Sequence, residues 1–299
     1  SPAWRAFLER IMGGNIELMA FLQRMCGYAL TGRTSEQKLF FLYGTGANGK
    51  STFLNTLLHV WGDYGRRMPS DLLFDDRRDS HPTALASLQG VRLAVTAEIE
   101  QGKRMAEVLV KELTGGDRLA ARKMRQDYFE FEPTHKVFLA GNHLPIIRGA
   151  EHAIWRRIDL VPFRVQIPES EQDRSLAAKL VSEAAGILRW CVDGALDWRH
   201  FTLMEPDEVT AATGAYRSDM DILGDFLAEC TKVEPGAQNT SSALSKAYNR
   251  WCEKNGERPL CARTLGMRLK ERGYEQDRSG HNRTRIWKDI VLIEEDALL

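Results

Sequence analysis

Trp4, Phe7, Leu8 and Ile11 recur at helical spacing. The pattern resumes from Ile16 to Tyr28 after Gly13-Gly14-Asn15. A broken helical segment is therefore predicted over residues 4–30, with a loop at 31–35. The period then changes. Residues 39–43, Leu-Phe-Phe-Leu-Tyr, form a short continuous apolar run closed by Gly44, the pattern of a strand buried on both faces. Helical spacing returns over 51–61. Residues 91–97, 137–140 and 158–163 read as three more buried strands, the last ended by Pro162 and Pro168. Between the first two of these lies a helix at 105–113, punctuated by Thr114-Gly115-Gly116-Asp117. Strands alternating with helices predict an α/β fold, a parallel sheet covered on both faces.

Residues 175–198 are again helical, with Leu176, Leu180, Ala184 and Leu188 on one predicted face. The character shifts around residues 204–206. Three helices follow at 225–231, 242–254 and 263–272, then two short strands near 273–276 and 285–292. Three helices and a hairpin in about 75 residues suggest a winged-helix module. The chain is thus expected to contain an N-terminal helical segment (1–35), a sheet domain (36–204) and a C-terminal winged-helix-like domain (205–299).

Composition adds limits. The 299 residues carry 41 Lys+Arg and 41 Asp+Glu, so a nucleic-acid partner has to be argued from local clusters. With 43% hydrophobic residues a sizeable core can form. No apolar run reaches the roughly 18 residues of a membrane span, and no signal peptide is present. The chain opens Ser1-Pro2-Ala3 rather than with Met, as an excised fragment would, and an upstream partner domain is expected. Its five cysteines are scattered, odd in number and never in a Cys-x-x-Cys pair, which points to reduced thiols in a cytosolic compartment. Cys252, Cys261 and His281 could be imagined as metal ligands, but their spacing fits no zinc template.

The candidate chemistry begins at Gly44-Thr45-Gly46-Ala47-Asn48-Gly49-Lys50-Ser51, a complete G-x-x-x-x-G-K-[ST] loop placed between a predicted strand and a predicted helix. Small residues let successive backbone N–H groups turn inward around a β-phosphate, and the helix beginning near Lys50, with Thr52 in its first turn, adds its positive end. Lys50 would reach the β- and γ-phosphates of ATP, and the Ser51 hydroxyl would bind Mg²⁺. Such a site needs an acid from a neighbouring strand. Glu98 comes directly off the strand 91–97, and Glu100 could share the role; the bland alternative is a pair of solvated strand-end carboxylates. Asn142, after the strand 137–140, can meet a γ-phosphate or the attacking water, or can simply be a turn residue. Arg156 and Arg157 precede the last strand, either as a salt-bridge site or as an arginine finger for a neighbouring subunit, which requires a ring.

In this order the residues resemble superfamily 3 helicases, a viral and plasmid branch of the AAA+ ATPases, and more closely the phage/plasmid and poxvirus-type primase-helicases. The resemblance rests on residues 27–32, 43–51 and 113–117, on Gly141-Asn142-His143-Leu144-Pro145, and on Trp155-Arg156-Arg157-Ile158 with Pro162-Phe163. It implies an AAA+-like P-loop core and a hexameric ring with ATP at each subunit boundary. It further implies Lys50 and Ser51 on phosphate and Mg²⁺, Glu98 as catalytic acid, Asn142 as sensor, and Arg157 as the finger with Arg156 in reserve. Many members carry two adjacent acids, whereas here Ala97 precedes Glu98, so the division of labour between Glu98 and Glu100 is open. Members often carry an upstream primase domain. A bacterial host cytoplasm is the expected setting.

Lys111, Arg118, Arg122, Lys123 and Arg125 lie between Glu98 and Asn142. Residues 118–124 and 128–131 predict a hairpin, which in the family lines the ring's channel and follows DNA; a basic tip binds phosphates without reading sequence. Asp127, Glu130 and Glu132 could instead neutralise it. Residues 257–288 hold nine Lys/Arg against four Asp/Glu, with Arg263, Arg268 and Lys270 on a candidate recognition helix and Arg278, His281, Arg283 and Arg285 on the wing. That module can contact DNA or dock a protein. Single-stranded and forked DNA are the expected partners of a helicase motor. The competing readings are an ATP-switched replication initiator or loader, and a P-loop kinase of a small metabolite.

Overall fold

The computed structural model describes residues 1–75, 82–97, 100–147, 152–279 and 283–293. They fall into two compact units, Ser1–Arg217 and the residues from Ser218 on.

The first unit begins with α1 (Pro2–Ile11) and α2 (Ile16–Thr31), separated at the predicted Gly13-Gly14 break, where both glycines take positive φ. The Asn15 side chain caps α2 by accepting from the Leu18 amide. Then come β1 (Leu39–Tyr43), α3 (Lys50–Trp61), β2 (Gly65–Arg67), α4 (Pro82–Ala86) and β3 (Leu93–Ala97). After these follow α5 (Glu107–Thr114), β4 (Leu119–Arg122), β5 (Tyr128–Phe131), β6 (Lys136–Gly141), α6 (His152–Trp155) and β7 (Ile158–Pro162). The unit closes with α7 (Leu176–Ser182), α8 (Ala184–Phe201) and α9 (Asp207–Asp219). The four predicted buried strands all form. With β2 they make a five-stranded parallel sheet in the order β2-β3-β6-β1-β7. The fold is mixed α/β, as expected.

The strand β1 has β6 on one side and β7 on the other. The chain returns to opposite sides of β1, and in open parallel sheets ligands bind beyond the C-terminal strand ends at such a switch point. Phe40, Leu42, Val95, Phe138 and Val161 sit at or near zero exposure in a core completed by α1, α2, α3 and α8. The helices α2 and α8 touch backbone to backbone. A Cβ on Gly27 would lie 2.0 Å from the Ala195 nitrogen, and one on Gly194 would lie 2.0 Å from the Gln23 oxygen.

Some expectations are corrected. The predicted helix over 175–198 is two helices that change phase at Glu183, whose carboxylate accepts from the Ala3 and Trp4 amides at the start of α1. The buried line is therefore Leu180, Ile187 and Cys191, while Leu188 is exposed. Neither β2 nor α9 was expected. Helix α9 is anchored by Val209 and Tyr216, and the Tyr216 hydroxyl donates to the Pro145 carbonyl at 2.5 Å. That anchor keeps the chain with the first unit past residue 204, to Arg217.

In the second unit α10 (Ile222–Cys230), α11 (Ser241–Lys254) and α12 (Ala262–Glu271) pack on a three-stranded antiparallel sheet. Its strands are β8 (Thr231–Thr240), β9 (Gln276–Ser279) and β10 (Thr284–Leu292), in the order β8-β10-β9. Phe226, Tyr248, Leu265, Leu269, Trp287 and Ile290 form its core. The first of these strands, β8, is one more than the predicted hairpin. Among the described residues no helix is long and apolar enough to cross a membrane.

Candidate functional site

Three of the chain's strands deliver their C-terminal ends to one place. The phosphate loop leaves β1 and turns through Gly46 (φ 117°), Ala47 (φ 48°) and Gly49 (φ 81°) before α3 starts at Lys50. Such a run of left-handed backbone favours glycine and turns amides inward. Two glycines are also required by space. A Cβ on Gly44 would lie 2.1 Å from Asn48 Nδ2 and 2.4 Å from the Phe163 oxygen. On Gly49 it would lie 2.5 Å from Ile11 Cγ2, so α1 is wedged against the loop from below. The Trp4 ring of the same helix stacks on Phe53 of α3, with centroids 5.5 Å apart.

Lys50 is only 6% exposed. Its Nζ donates to the Gly44 carbonyl (2.7 Å), to Asn48 Oδ1 (2.8 Å) and to Asn142 Oδ1 (3.1 Å). The loop, the lysine and the proposed sensor thus meet through direct hydrogen bonds, although 92 residues separate Lys50 from Asn142. All three acceptors are neutral, and burial pushes the Lys50 ammonium down to about 8. A buried cation among neutral oxygens at a helix N-terminus fits a polyphosphate. Asn48 is 4% exposed, and its Nδ2 donates to the Phe163 carbonyl beyond β7 while its oxygen holds Lys50. Its side chain positions the lysine; the motif pattern treats that position as variable and gave no signal of this. Ser51 is exposed in the first turn of α3 and Thr52 is half-buried there.

Glu98 lies outside the described residues, directly after β3, whose end is in register with Ala140 two residues before Asn142. Glu100 is exposed and pairs with Lys103 at 3.4 Å. Among the described residues no group of three His, Cys, Asp or Glu side chains could hold a metal ion. Cys252 is buried and Cys261 exposed, and His281 is outside the described residues.

Arg156 and Arg157 stand at the other end of the sheet. Ile158 is in register with Leu39, the first residue of β1, so the arginines lie roughly 16 Å from the phosphate loop at about 3.3 Å per strand residue. Arg157 is buried, its guanidinium donating to the Ala153 carbonyl at 2.7 Å. Arg156 is exposed and donates to Gln37.

The expected hairpin is present, with β4 and β5 pairing antiparallel from Leu119↔Phe131 to Arg122↔Tyr128. Arg125 sits at its tip with φ 60°. Glu130 and Glu132 face Arg118, at 3.8 and 3.9 Å. Arg122 lies over the Tyr128 ring and Lys123 over the Phe129 ring, which leaves both charges without a carboxylate among the described residues. Lys111 is half-buried in the last turn of α5. In the second unit Arg263, Met267 and Lys270 make the exposed line of α12, whereas Arg268 is bonded to Glu271 at 3.0 Å. Arg285 is paired in register with Arg278 on the β9–β10 hairpin, next to Arg283 (φ 49°).

Sequence reasoning missed a buried basic group at the N-terminal sheet edge. Lys136 is 2% exposed, its ammonium 4.9 Å from the Tyr28 ring centroid, and burial followed by the nearby Arg92 charge pushes it down to about 7. Neighbouring His135 is 1% exposed and pushed down to about 4 by burial and then by Lys136. A lysine at the start of an apolar strand gives no sequence signal of burial, because long cationic side chains ordinarily reach solvent.

Two family models match the chain. One described as "Family of unknown function (DUF5906)" covers residues 42–157, from β1 to Arg157, and one described as "Poxvirus D5 protein-like" covers residues 218–288 of the second unit. A protein of Acanthamoeba polyphaga mimivirus named "Putative helicase L207/L206" is 28% identical over 242 residues, 75% of this chain and 25% of that protein. "Putative helicase 022R" of Frog virus 3 (isolate Goorha) is 24% identical over 272 residues, 84% of this chain and 28% of that protein. The chain therefore spans about a quarter of the length of these curated relatives. Among solved structures, the apo NrS-1 C-terminal region aligns over 97% of this chain and 76% of its own, with a TM-score of 0.57 at 10% identity, a likeness of fold. The phosphate loop, Lys50 and Asn142 are thus assembled on the sheet edge of a chain that is similar to viral proteins named as putative helicases and, over residues 218–288, to the poxvirus D5 protein-like family.

Proposed function

We propose that the chain is an ATP-dependent DNA helicase motor that acts as a hexameric ring in the replication of phage, plasmid or other mobile-element DNA. The observation that carries this reading is the Lys50–Asn142 contact, which brings the phosphate loop and the strand-end amide of β6 to one point. Gly44 to Ser51, with Thr52 behind them, hold the triphosphate. Lys50 exchanges its neutral acceptors for phosphate oxygens, and Asn142, freed from the lysine, faces the γ-phosphate or the attacking water. Ser51 would hold Mg²⁺ together with Glu98, and bound Mg²⁺ neutralises charge developing on the phosphates. We assign water activation to Glu98, which directly follows β3, rather than to Glu100, which lies two residues farther on and is exposed.

Arg156 and Arg157 cannot serve their own chain's site, since the length of β1 lies between. A guanidinium offered to a neighbour must be exposed, which favours Arg156 as the finger and gives Arg157 the task of holding the turn before β7. The hairpin tip at Lys123 and Arg125 grips the backbone of single-stranded DNA, and the line Arg263–Lys270 with Arg283 and Arg285 adds a second basic face.

The test is ATPase rate with and without single-stranded DNA, and unwinding of a forked duplex, for wild type, Lys50→Ala and Arg125→Ala. Wild type is expected to be stimulated by DNA and to unwind. Lys50→Ala should lose hydrolysis, and Arg125→Ala should keep basal hydrolysis but lose stimulation. Hydrolysis indifferent to DNA, with no unwinding, refutes the motor.

A further inference from the structure

Beside the hairpin lies an open cleft of about 320 Å³, lined by Arg66, Thr83, Ala86, Ser87, Gln89 and Lys123. Three separate pieces of the first unit build it. Arg66 comes from β2, the edge strand of the sheet. Thr83, Ala86, Ser87 and Gln89 come from α4 and the turn after it. Lys123 comes from the hairpin, directly after β4. Among the described residues the lining contains two cations, two hydroxyls and an amide, and no carboxylate. The Ser87 hydroxyl donates to the Ala84 carbonyl at 2.7 Å, which fixes its oxygen toward the turn. Lys123 rests over the Phe129 ring at 5.9 Å, a contact that orients an ammonium without neutralising it. Arg66 and Gln89 are exposed, and neither has an ion pair or hydrogen bond of its side chain among the described residues.

An anion with several acceptor oxygens is the chemistry that answers such a lining. A guanidinium fork, an ammonium and an amide N–H₂ supply donors from different directions, as a tetrahedral phosphate requires. Carboxylates could also use the fork, but the spread of donors over three walls suits a group that accepts on all sides. We propose that this cleft binds a backbone phosphate of the single strand that passes over the hairpin tip, so that the DNA grip extends from Lys123 and Arg125 to Arg66 on the edge strand and to Gln89. The inference rests on the DNA-motor reading. Lys123 belongs to both the hairpin and the cleft, two residues from Arg125, and this makes one strand the common ligand. A phosphate ion or the phosphate of a free nucleotide has the same chemistry, and the experiment separates these sources.

The full chain is titrated with fluorescent oligo(dT) at several salt concentrations, for wild type, Arg66→Ala, Arg66→Lys, Gln89→Glu and Arg125→Ala, each first checked for an unchanged melting transition. Arg66→Ala should weaken binding roughly 3- to 10-fold and lower the salt slope by about 0.7, the value for one phosphate of a single strand. Gln89→Glu places a negative charge in the cleft and should weaken binding at least as much. Arg66→Lys should keep the slope. In a second arm inorganic phosphate and ADP compete with oligo(dT). If either displaces the DNA at low millimolar concentration from wild type but not from Arg66→Ala, the cleft is a site for the free anion and the proposal fails. If wild type binds and Arg125→Ala weakens it, while Arg66→Ala and Gln89→Glu match wild type in affinity and slope, the cleft inference alone is overturned. If wild type does not bind oligo(dT), the DNA-motor reading falls first.

Discussion

The contact between Ile11 and Gly49 predicts that an N-terminal helix sets the position of the phosphate loop. The perturbation is Gly49→Ala. Two costs are expected. Gly49 has φ 81°, where an L-residue loses roughly 1–2 kcal/mol. The new methyl would also stand 2.5 Å from Ile11 Cγ2 and 3.2 Å from a Phe7 ring carbon, against a comfortable 3.5–4.0 Å or so between carbons. Overpacking of that kind costs about 1–3 kcal/mol. Ile11 has zero exposure, so Ile11→Ala alone should cost about 2–5 kcal/mol. The double variant separates the two costs, because the space left by Ile11 accepts the methyl while the backbone penalty stays. The coupling should therefore be favourable by about 1–3 kcal/mol, with Gly49→Ala still costing about 1–2 kcal/mol in the Ile11→Ala background. Urea midpoints at constant slope give the stabilities, and binding of a fluorescent ADP analogue reports the loop. Gly49→Ala should weaken nucleotide binding and Ile11→Ala should restore part of it. Additive stabilities, within about 0.5 kcal/mol, would show that α1 does not bear on the loop.

Other variants probe the rest of the unit. Gly27→Ala should destabilise by on the order of 3 kcal/mol or more, because its Cβ meets the α8 backbone at 2.0 Å; a melting point within 2 °C of wild type would contradict the close approach. His135 remains neutral in the fold down to about pH 4 but protonates near its ordinary 6.5 when unfolded, so the unfolded state binds more protons and stability should fall as pH drops from 6.5 to 4. His135→Leu should remove a loss of about 3 kcal/mol over that window, and urea midpoints of the two proteins that run parallel from pH 7 to 4.5 would refute it. In mixed rings, Arg156→Ala subunits should regain activity at some boundaries when combined with Lys50→Ala subunits, since each variant damages a different side of a shared site. An Arg156→Ala enzyme with unchanged hydrolysis, beside an inactive but folded Arg157→Ala enzyme, would return the finger to Arg157.

Elements whose burial is continuous in sequence were legible before the fold was known. Leu39 to Tyr43 is apolar at every position because both faces of β1 are covered, and no other periodicity competes with it. The edge strand β2 offers no such pattern: Gly65-Arg66-Arg67 pairs in the sheet with β3 on one side, and its residues are partly or fully exposed. For the same reason β8 escaped notice, since most of its residues are exposed and Pro235-Gly236 reads as a turn. In α9 just two residues, Val209 and Tyr216, are buried two turns apart, too sparse a stripe to read. The helix face over 175–198 was misassigned because Glu183 breaks the phase, and it does so to cap α1, a partner 180 residues away.

The same division runs through the candidate site. The phosphate-loop pattern is written in eight consecutive residues because it rests on backbone amides and on a helix start, both of which are local. The contacts that tune it are distant in sequence: Lys50 with Asn142, Asn48 with the Phe163 carbonyl, and Gly49 with Ile11. No periodicity announces them, since each depends on which strands the sheet sets side by side. Exposure is likewise a property of the fold. Arg156 and Arg157 are the same residue type on adjacent positions, yet one donates to Ala153 inside its own turn and the other reaches outward to Gln37. If one of them serves a neighbouring subunit, as proposed above, it has to leave its own chain, so burial decides between them, and burial became readable only once β7 was seen to start beside Leu39, at the end of the sheet farthest from the phosphate loop.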